Sequence, residues 1–414
     1  MSVVIPFKAL RPHRQFVEAV ASYPYDVVSV DEAREIVKDN PLNFLHVEKS
    51  EIDLQSSTGA NDEIQYEIAK SNLEKLIERN VLFQEKKNCF YIYRQRAGAH
   101  AQYSIVAAIS LALYESGDIK KHELTKADKE LDRIRHVVAV DAQTGPVFVT
   151  YKAQDFIDGL VKKMVESEPE YDFVSGDGIS HTVWVISAEE DIAALRKAFA
   201  EVLTLYIADG HHRAAAAAAV RRLKREANPG SGADQAYDYV MAVLFPHNQL
   251  KIMSYNRAVI DLNGLDEAEF LLQVRGKFLV SDNFAGKSPA RCHEIGMYLG
   301  GRWYKLKAKD KSYDKNDPIN ALDVSILQEN LLRPVLGIQN PRTDERIEYI
   351  GGIRGVQELE RLVDSGEFAV AFSLYPTSME QLMAVSDAGK VMPPKSTWFE
   401  PKLRSGIFVH LLTS

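Results

Sequence analysis

An apolar stretch, a short polar turn and six consecutive alanines occur together at 203–219, and this segment limits the fold more than any other. The apolar residues of 203–208 are typical of a buried strand. The alanines of 214–219 have the highest helix propensity of any residue, and they indicate a helix packed closely on its neighbours. Gly210 lies between them, where glycine allows a turn with positive φ. The sequence therefore predicts a strand, a tight turn and a helix here.

Strand and helix patterns alternate along the rest of the chain, and a second series of patterns begins near residue 253. Such alternation is typical of α/β proteins. We therefore predict a mixed α/β (α+β) fold with one α/β domain at 1–252 and a second at 253–414. The specific elements predicted include helices at 31–37 (N-capped by Ser29), 61–80 and 323–335, a strand at 44–47, and a helix after Thr125 whose apolar face carries Ala127, Leu131, Ile134 and Val138.

The composition excludes several classes of protein. Two cysteines, Cys89 and Cys292, cannot form a disulfide framework, and a reducing compartment fits them best. The net charge of −8 argues against a nucleic-acid binder. No apolar run approaches the ~18 residues of a membrane span, and the N-terminus does not have the pattern of a signal peptide. We therefore expect a cytoplasmic protein that binds neither nucleic acid nor membrane.

The turn at 209–213 is the strongest candidate site. Asp209, Gly210, His211, His212 and Arg213 lie between the predicted strand and the alanine helix. The first turn of a helix binds anions such as phosphate, and an arginine can add two hydrogen bonds to phosphate oxygens. Histidines can transfer protons near neutral pH. No protein metal site is expected, because adjacent histidine side chains diverge and the segment shows no third ligand. The alternative is a structural turn with a capped helix.

A second candidate lies at 122–125, just before a predicted helix. His122 and Glu123 could supply a general base, although a solvated charged face is an equal alternative. Weaker candidates for substrate binding are Asp26 at a predicted turn and Arg133 in the predicted helix after Thr125. The proline-rich stretch 392–406 adds Lys395 and Arg404, and Lys402 lies in the same stretch.

Six motifs lie at 6–12, 24–28, 121–123, 129–133, 208–213 and 392–406. Together they resemble a bacterial family called domain of unknown function 1015, and the resemblance covers essentially the whole chain. The order of His-Glu, a helix, strands and Asp-Gly-His-His-Arg at about 100–250 is also similar to the ParB/sulfiredoxin fold and, within it, to the free serine kinases.

The remoter resemblance implies a ParB/sulfiredoxin-like core at about 104–250, with an N-terminal extension and the second domain added. It also implies a small-molecule phosphotransferase acting on serine or phosphoserine, with ADP or ATP as donor and Mg²⁺ on the phosphates. Glu123 would be the catalytic base, assisted by His122 and His212, and the 209–213 turn would hold the nucleotide phosphates. A homodimer is compatible with this interpretation. The alternatives are a phosphoserine phosphatase and a nucleotide-binding ParB-like regulator without catalysis.

Overall fold

The protein is described by a computed structural model that covers residues 3–54, 63–232 and 234–413. The chain divides into two compact units: unit 1 contains residues 1–250 and 401–414, and unit 2 contains residues 251–400. The predicted second domain, 253–414, thus differs from unit 2, because the last fourteen residues belong to unit 1. No helix among the described residues is long and apolar enough to cross a membrane.

Unit 1 is built on a sheet of nine strands. Its strands run in the order β6-β11-β8-β12-β5-β4-β10-β9, with β1 beside β5. Only the pairs β6–β11 and β8–β12 are parallel among the described strand pairs of this sheet, and the others are antiparallel. The strands of this part of the chain are β1 (Val4–Ile5), β2 (Leu10–Pro12), β3 (Leu82–Gln84), β4 (Phe90–Ala97), β5 (His100–Ser110), β6 (Ile119–Lys120), β7 (Ala142–Gln143), β8 (Val147–Tyr151), β9 (Tyr171–Val174), β10 (Ser180–Ile186), β11 (Leu205–Asp209) and β12 (Tyr239–Pro246).

Helices cover this sheet, and the last of them contains the alanine run. All six alanines are buried, and Ala214, Ala217 and Ala218 lie in the same core cluster as residues of β8 and β12. Their small side chains let the helix axis approach its neighbours closely, as the sequence predicts. The helices are α1 (Val17–Val20), α2 (Val30–Val37), α3 (Leu45–Glu48), α4 (Glu63–Glu78), α5 (Leu111–Ser116), α6 (Ala127–Val140), α7 (Asp155–Met164), α8 (Glu189–Ala200) and α9 (His211–Ala227).

The capping prediction for α2 is confirmed, and the strand predicted at 44–47 is wrong. The Ser29 side chain accepts a hydrogen bond from the Glu32 backbone, and the Glu32 side chain completes a capping box. Residues 45–48 form helix α3 instead of a strand. The Asn43 side chain explains the difference, because it accepts a hydrogen bond from the Leu45 N–H at 3.0 Å. An asparagine that binds the backbone two residues later favours a turn over an extended chain.

Helix α6 exists as predicted, but it buries a different face. Its N-cap is Lys126, without a side-chain cap, and Leu131 and Val138 of the predicted apolar face are exposed. The buried residues are Arg133, His136 and Val140. A polar stripe therefore faces the interior, because His136 hydrogen-bonds the Val47 carbonyl and Arg133 donates to the Glu48 carbonyl.

Unit 2 contains a six-stranded, fully antiparallel sheet in the order β15-β17-β16-β19-β14-β18 and the pair β13–β20. The helix predicted at 323–335 is shorter and continues as a π-helix at Gln328–Leu332. The elements are β13 (Lys251–Met253), β14 (Tyr255–Val259), α10 (Glu267–Lys277), β15 (Phe278–Asp282), β16 (Glu294–Leu299), β17 (Arg302–Ala308), α11 (Asp323–Leu327), β18 (Ile347–Gly351), α12 (Gly355–Asp364), β19 (Val370–Leu374), α13 (Met379–Asp387) and β20 (Trp398–Glu400).

The closing segment, residues 401–414, contributes β21 (His410–Leu411) to unit 1, where it pairs with β7. Backbone bridges also join Val409 to Leu10 and Ser405 to Ser22. The mixed α/β class is therefore confirmed. A ParB/sulfiredoxin-like core at 104–250 stays a prediction, since these residues share one sheet with β1 and β4.

Candidate functional site

The 209–213 turn has the backbone that the sequence predicts. Strand β11 ends at Asp209, Gly210 adopts φ 84° as the N-cap of α9, and the helix begins at His211. A Cβ at Gly210 would lie 3.5 Å from the Val147 Cα. The positive φ, more than crowding, therefore requires glycine at this position.

Each of the two carboxylate oxygens of Asp209 interacts with a different group. Its Oδ1 accepts a hydrogen bond from the Gly210 N–H at 2.8 Å, and its Oδ2 pairs with the Lys402 ammonium at 2.9 Å. Burial opposes ionisation, but the Lys402 charge and the Gly210 N–H keep the pKa of Asp209 well below its ordinary value. The turn thus carries a fixed negative charge that is compensated by a lysine of the closing segment.

Glu123 approaches the start of α9 from the segment before α6. One of its carboxylate oxygens lies 3.7 Å from Nδ1 of His211. The rings of His122 and His211 are perpendicular, with centroids 4.6 Å apart. The two sequence motifs, separated by more than eighty residues, therefore meet at one place in unit 1.

The two histidines are buried, whereas the Glu123 side chain is 43% exposed. Burial lowers the pKa of His122 to about 4, and the nearby Ile207 carbonyl and Asp209 offset this only in part. Burial and the neighbouring His122 ring lower the pKa of His211 well below its ordinary value. Both rings are therefore neutral at pH 7.

His212 points to a different neighbour. Its Nε2 accepts a hydrogen bond from the Lys126 N–H at 3.0 Å, so the ring ties the start of α6 to α9. Burial and the charge of Lys129 lower the pKa of His212. The side chains of His211 and His212 thus diverge, as expected, but the expectation of no third metal ligand missed a neighbour. One ligand atom each from His122, Glu123 and His211 lie within 4.8 Å of one another.

Arg213 does not extend toward the turn as the sequence analysis expected. Its Nη2 lies 3.2 Å from the Glu48 carboxylate, and its Nη1 donates to the Pro146 carbonyl at 3.1 Å. Gly145 leaves room for it, because a Cβ there would lie 2.5 Å from Nη1. Burial would raise the pKa of Glu48, but Arg213, followed by His136 and Arg133, lowers it. Arg213 and Glu48 therefore form a buried ion pair.

The space beside this ion pair is small. A cavity of about 20 Å³, enough for one water molecule, is lined by Glu48, Arg133, His136 and Arg213 among others. A nucleotide phosphate does not fit there. Arg213 is therefore not available for the predicted hydrogen bonds to phosphate, because Arg213 and Glu48 are buried and bind each other.

The remaining predicted residues lie in three different environments. Arg133 is buried, pairs with Asp132 and stacks 3.9 Å over the Tyr25 ring. Asp26 is exposed, and its charge acts on His212 and Arg213.

Arg404 is buried and paired with Asp177. Lys395 belongs to unit 2, with its ammonium 5.7 Å from the Tyr255 ring.

The sequence does not indicate that Glu48 belongs to the site, and it indicates no definite role for Lys402. The signal for Glu48 is an acidic residue that follows the apolar stretch 42–47. Nothing local indicates that Lys402 contacts Asp209, which precedes it by 193 residues.

The sequence model of a family described as "Protein of unknown function (DUF1015)" matches residues 4–325. This match covers most of the chain, including both motifs that meet at the site. The chain belongs to this family. The resemblance drawn from the motifs is therefore correct at the family level. No curated protein matches the chain.

Among solved structures, this DUF1015 member is similar to a free serine kinase in complex with AMP. The identity is 14% and the TM-score 0.33, over 71% of this chain and 86% of the kinase. A conserved hypothetical protein from Pyrococcus furiosus has 13% identity and a TM-score of 0.33, over 74% and 95% of the two chains. SbnI from Staphylococcus aureus has 11% identity and a TM-score of 0.31, over 72% and 85%. These scores are low, and no residue role is transferred from these structures.

Proposed function

We propose that unit 1 is a small-molecule phosphotransferase that moves a phosphoryl group between a nucleotide and the hydroxyl of serine. The observation that carries the proposal is the approach of Glu123 to the start of α9, with 3.7 Å between its carboxylate and Nδ1 of His211. A proton acceptor thus lies beside a helix end that favours anions. Phosphoryl transfer needs these two elements close together.

The start of α9 is the proposed phosphate site. The first hydrogen bond of this helix runs from the Ala214 N–H to the Gly210 carbonyl. The backbone N–H groups of 211–213 therefore precede the intrahelical ladder and lie at the positive end of a 17-residue helix. Lys121 and Lys129 add positive charge near His211 and His212. In this proposal backbone groups and lysines, not Arg213, hold the phosphates.

Glu123 is the proposed proton acceptor. Its side chain is 43% exposed, so a substrate can reach it from solvent. The serine hydroxyl oxygen attacks the terminal phosphorus of ATP or ADP, and the bond to the leaving nucleotide oxygen breaks. The hydroxyl proton passes to Glu123, and ADP or AMP leaves. Mg²⁺ would travel with the nucleotide and neutralise its phosphate oxygens.

Serine is proposed as the substrate because the His122-Glu123 and Asp209–Arg213 motifs resemble those of the free serine kinases. The reverse direction, from phosphoserine to a nucleotide, uses the same groups. Asp26, which is exposed, is a proposed contact to the substrate, and His122 and His212 are proposed to support the site. Arg133 is buried and paired with Asp132, so the proposal does not use it as a substrate contact. A homodimer is part of the proposal only as a compatible assembly.

The test is a Glu123→Gln variant assayed for phosphate exchange between serine and phosphoserine with ATP, ADP and AMP in turn, with Mg²⁺ present. The amide keeps the shape of the side chain but cannot accept the proton, so we expect turnover to fall about 10²–10⁴-fold. Nucleotide affinity, measured by calorimetry, should remain. Asp128→Asn removes one charge from the exposed first turn of α6 and is the matched control.

Three results would contradict the proposal in different ways. Full turnover of Glu123→Gln would move the proton acceptor elsewhere. Hydrolysis of phosphoserine without any nucleotide would favour a phosphatase. Tight nucleotide binding without exchange in the unchanged protein would favour a regulator that only binds nucleotide.

A further inference from the structure

Two buried histidines at the proposed site have ring nitrogens that are poorly satisfied by hydrogen bonds. No hydrogen bond of ordinary geometry reaches either ring nitrogen of His122 or Nε2 of His211 within the described part of the chain, although the Ile207 carbonyl lies near the His122 ring. The two residues are only 2% and 4% exposed. Buried polar atoms almost always have a partner, and a bound ion is one explanation of an exception.

The three side chains lie close enough together to suit a metal ion. One atom each from His122, Glu123 and His211 lie within 4.8 Å of one another. Around a single Zn²⁺ with bonds of about 2.0–2.2 Å, ligand atoms are about 3–3.5 Å apart, so side-chain movements of about 1 Å would close the site. The perpendicular rings do not stack on each other, and rotation about their side-chain bonds can turn both toward one point.

The surroundings favour a cation between these side chains. The negative charge of Asp209 acts on both rings. A carboxylate or carbonyl beside a histidine ligand commonly orients the ring and raises its affinity for metal.

We propose that His122, Glu123 and His211 bind one divalent transition-metal ion, with Zn²⁺ as the reference case. Two imidazoles and one carboxylate suit zinc and its neighbours in the first transition row, whereas Mg²⁺ prefers oxygen ligands. The half-exposed Glu123 side chain puts one edge of the site toward solvent. Three protein ligands with an open position are the arrangement of catalytic metal sites.

The metal site does not depend on the proposed phosphotransferase activity, because it stands on the close approach of His122, Glu123 and His211. The two proposals are compatible, since Glu123 would hold the metal with one carboxylate oxygen and keep the other as the proton acceptor. A hydroxyl bound at the open position would lose its proton more easily, and that proton would pass to the second oxygen of Glu123.

The experiment is a calorimetric titration of Zn²⁺ into full-length protein that has been treated with a chelator to remove bound metal. Mg²⁺ is titrated in parallel. We expect one Zn²⁺ per chain and binding of Mg²⁺ at least 100-fold weaker. Glu123→Gln should weaken Zn²⁺ binding tenfold or more, and His122→Gln should do so as well. Asp128→Asn is the matched control for charge, and His13→Ala is the control for a histidine outside the site.

Glu123→Gln tests the proposal even if the buried histidine variant does not fold, because the Glu123 side chain is half-exposed. Absence of stoichiometric Zn²⁺ binding would overturn the metal site, and so would equal affinities in Glu123→Gln and Asp128→Asn. Zinc binding without serine exchange would support the metal site and reject the phosphotransferase. Exchange with Mg²⁺ alone, in protein that binds no zinc, would do the reverse.

Discussion

The Arg213 guanidinium lies 3.2 Å from the Glu48 carboxylate, and the Glu48 side chain is only 2% exposed. The sequence predicts that Arg213 binds phosphate at this turn, but the arginine side chain is turned inward. Its charge compensates a buried acid from α3. The ion pair therefore ties the start of α9 to α3 within unit 1.

Removing Arg213 should destabilise the fold. Arg213→Ala leaves the buried Glu48 carboxylate without its ion-pair partner and with the weaker influence of Arg133, and breaking a buried ion pair in this way costs about 3–5 kcal/mol. Urea denaturation should show this loss, whereas the double variant Glu48→Leu/Arg213→Met should lose much less. A variant Arg213→Ala that is as stable as the original protein but binds nucleotide weakly would restore the phosphate role.

Gly210→Ala should weaken nucleotide binding. Alanine at φ 84° costs about 1–2 kcal/mol, and relief of that strain would move the N–H groups of 211–213. Gly117 has the same φ and no atom within 4 Å of an added Cβ among the described residues, so Gly117→Ala is the matched control. Calorimetry with ADP should show a loss of about tenfold for Gly210→Ala alone. Equal affinities in both variants would mean that the phosphates bind elsewhere.

Lys402→Ala should also weaken nucleotide binding, because it leaves the Asp209 charge without its partner next to the phosphates. In a double-mutant cycle with Asp209→Asn, groups in direct contact typically couple by about 0.5–3 kcal/mol. Lys390→Ala breaks an exposed lysine–aspartate pair in unit 2 and should have no effect on affinity. A coupling energy of zero would show that Lys402 and Asp209 act independently.

Asp323 in unit 2 should make stability fall as the pH rises. Burial raises the pKa of this carboxyl from 3.8 to about 7, although the His293 N–H opposes the shift. Between these values the folded state binds more protons than the unfolded state, so the stabilising effect of the neutral form is complete below pH 3.8 and lost as the pH passes 7. Asp323→Asn keeps the acceptor for His293 and should raise the Tm at pH 8 but not at pH 4. A Tm difference that is the same at both pH values would reject this assignment.

Local chemistry explains which elements the sequence predicts. The capping box at Ser29 and the glycine turn before α9 involve neighbours within a few residues, so the sequence shows them directly. The strand predicted at 44–47 was wrong because the apolar pattern outweighed one asparagine side chain. In α6 the pattern was misleading because Arg133 pairs with Asp132 and His136 hydrogen-bonds the Val47 carbonyl, so both polar side chains can be buried.

Long-range pairs account for most of what the sequence could not predict in the site. Glu48 and Arg213 are 165 residues apart, and Lys402 and Asp209 are 193 residues apart. Their pairing depends on how the chain folds around the sheet of unit 1, and sequence spacing does not predict contacts between residues so far apart. The resemblance implies that Glu123 and the 209–213 turn act in one site, but it does not predict that His122, Glu123 and His211 meet. The sequence did not predict that these three residues bring possible metal-ligand atoms within 4.8 Å of one another.

Residues 401–414 complete unit 1 after the whole of unit 2 has intervened. A ribosome that makes the chain from its N-terminus therefore exposes the first 250 residues of unit 1 well before their closing strand and Lys402 exist. During this interval Asp209 has no lysine partner from the closing segment, and β7 has not yet paired with β21. The turn at 209–213 can thus reach its final electrostatic state only late in biosynthesis, and a nascent chain arrested before residue 401 would lack it.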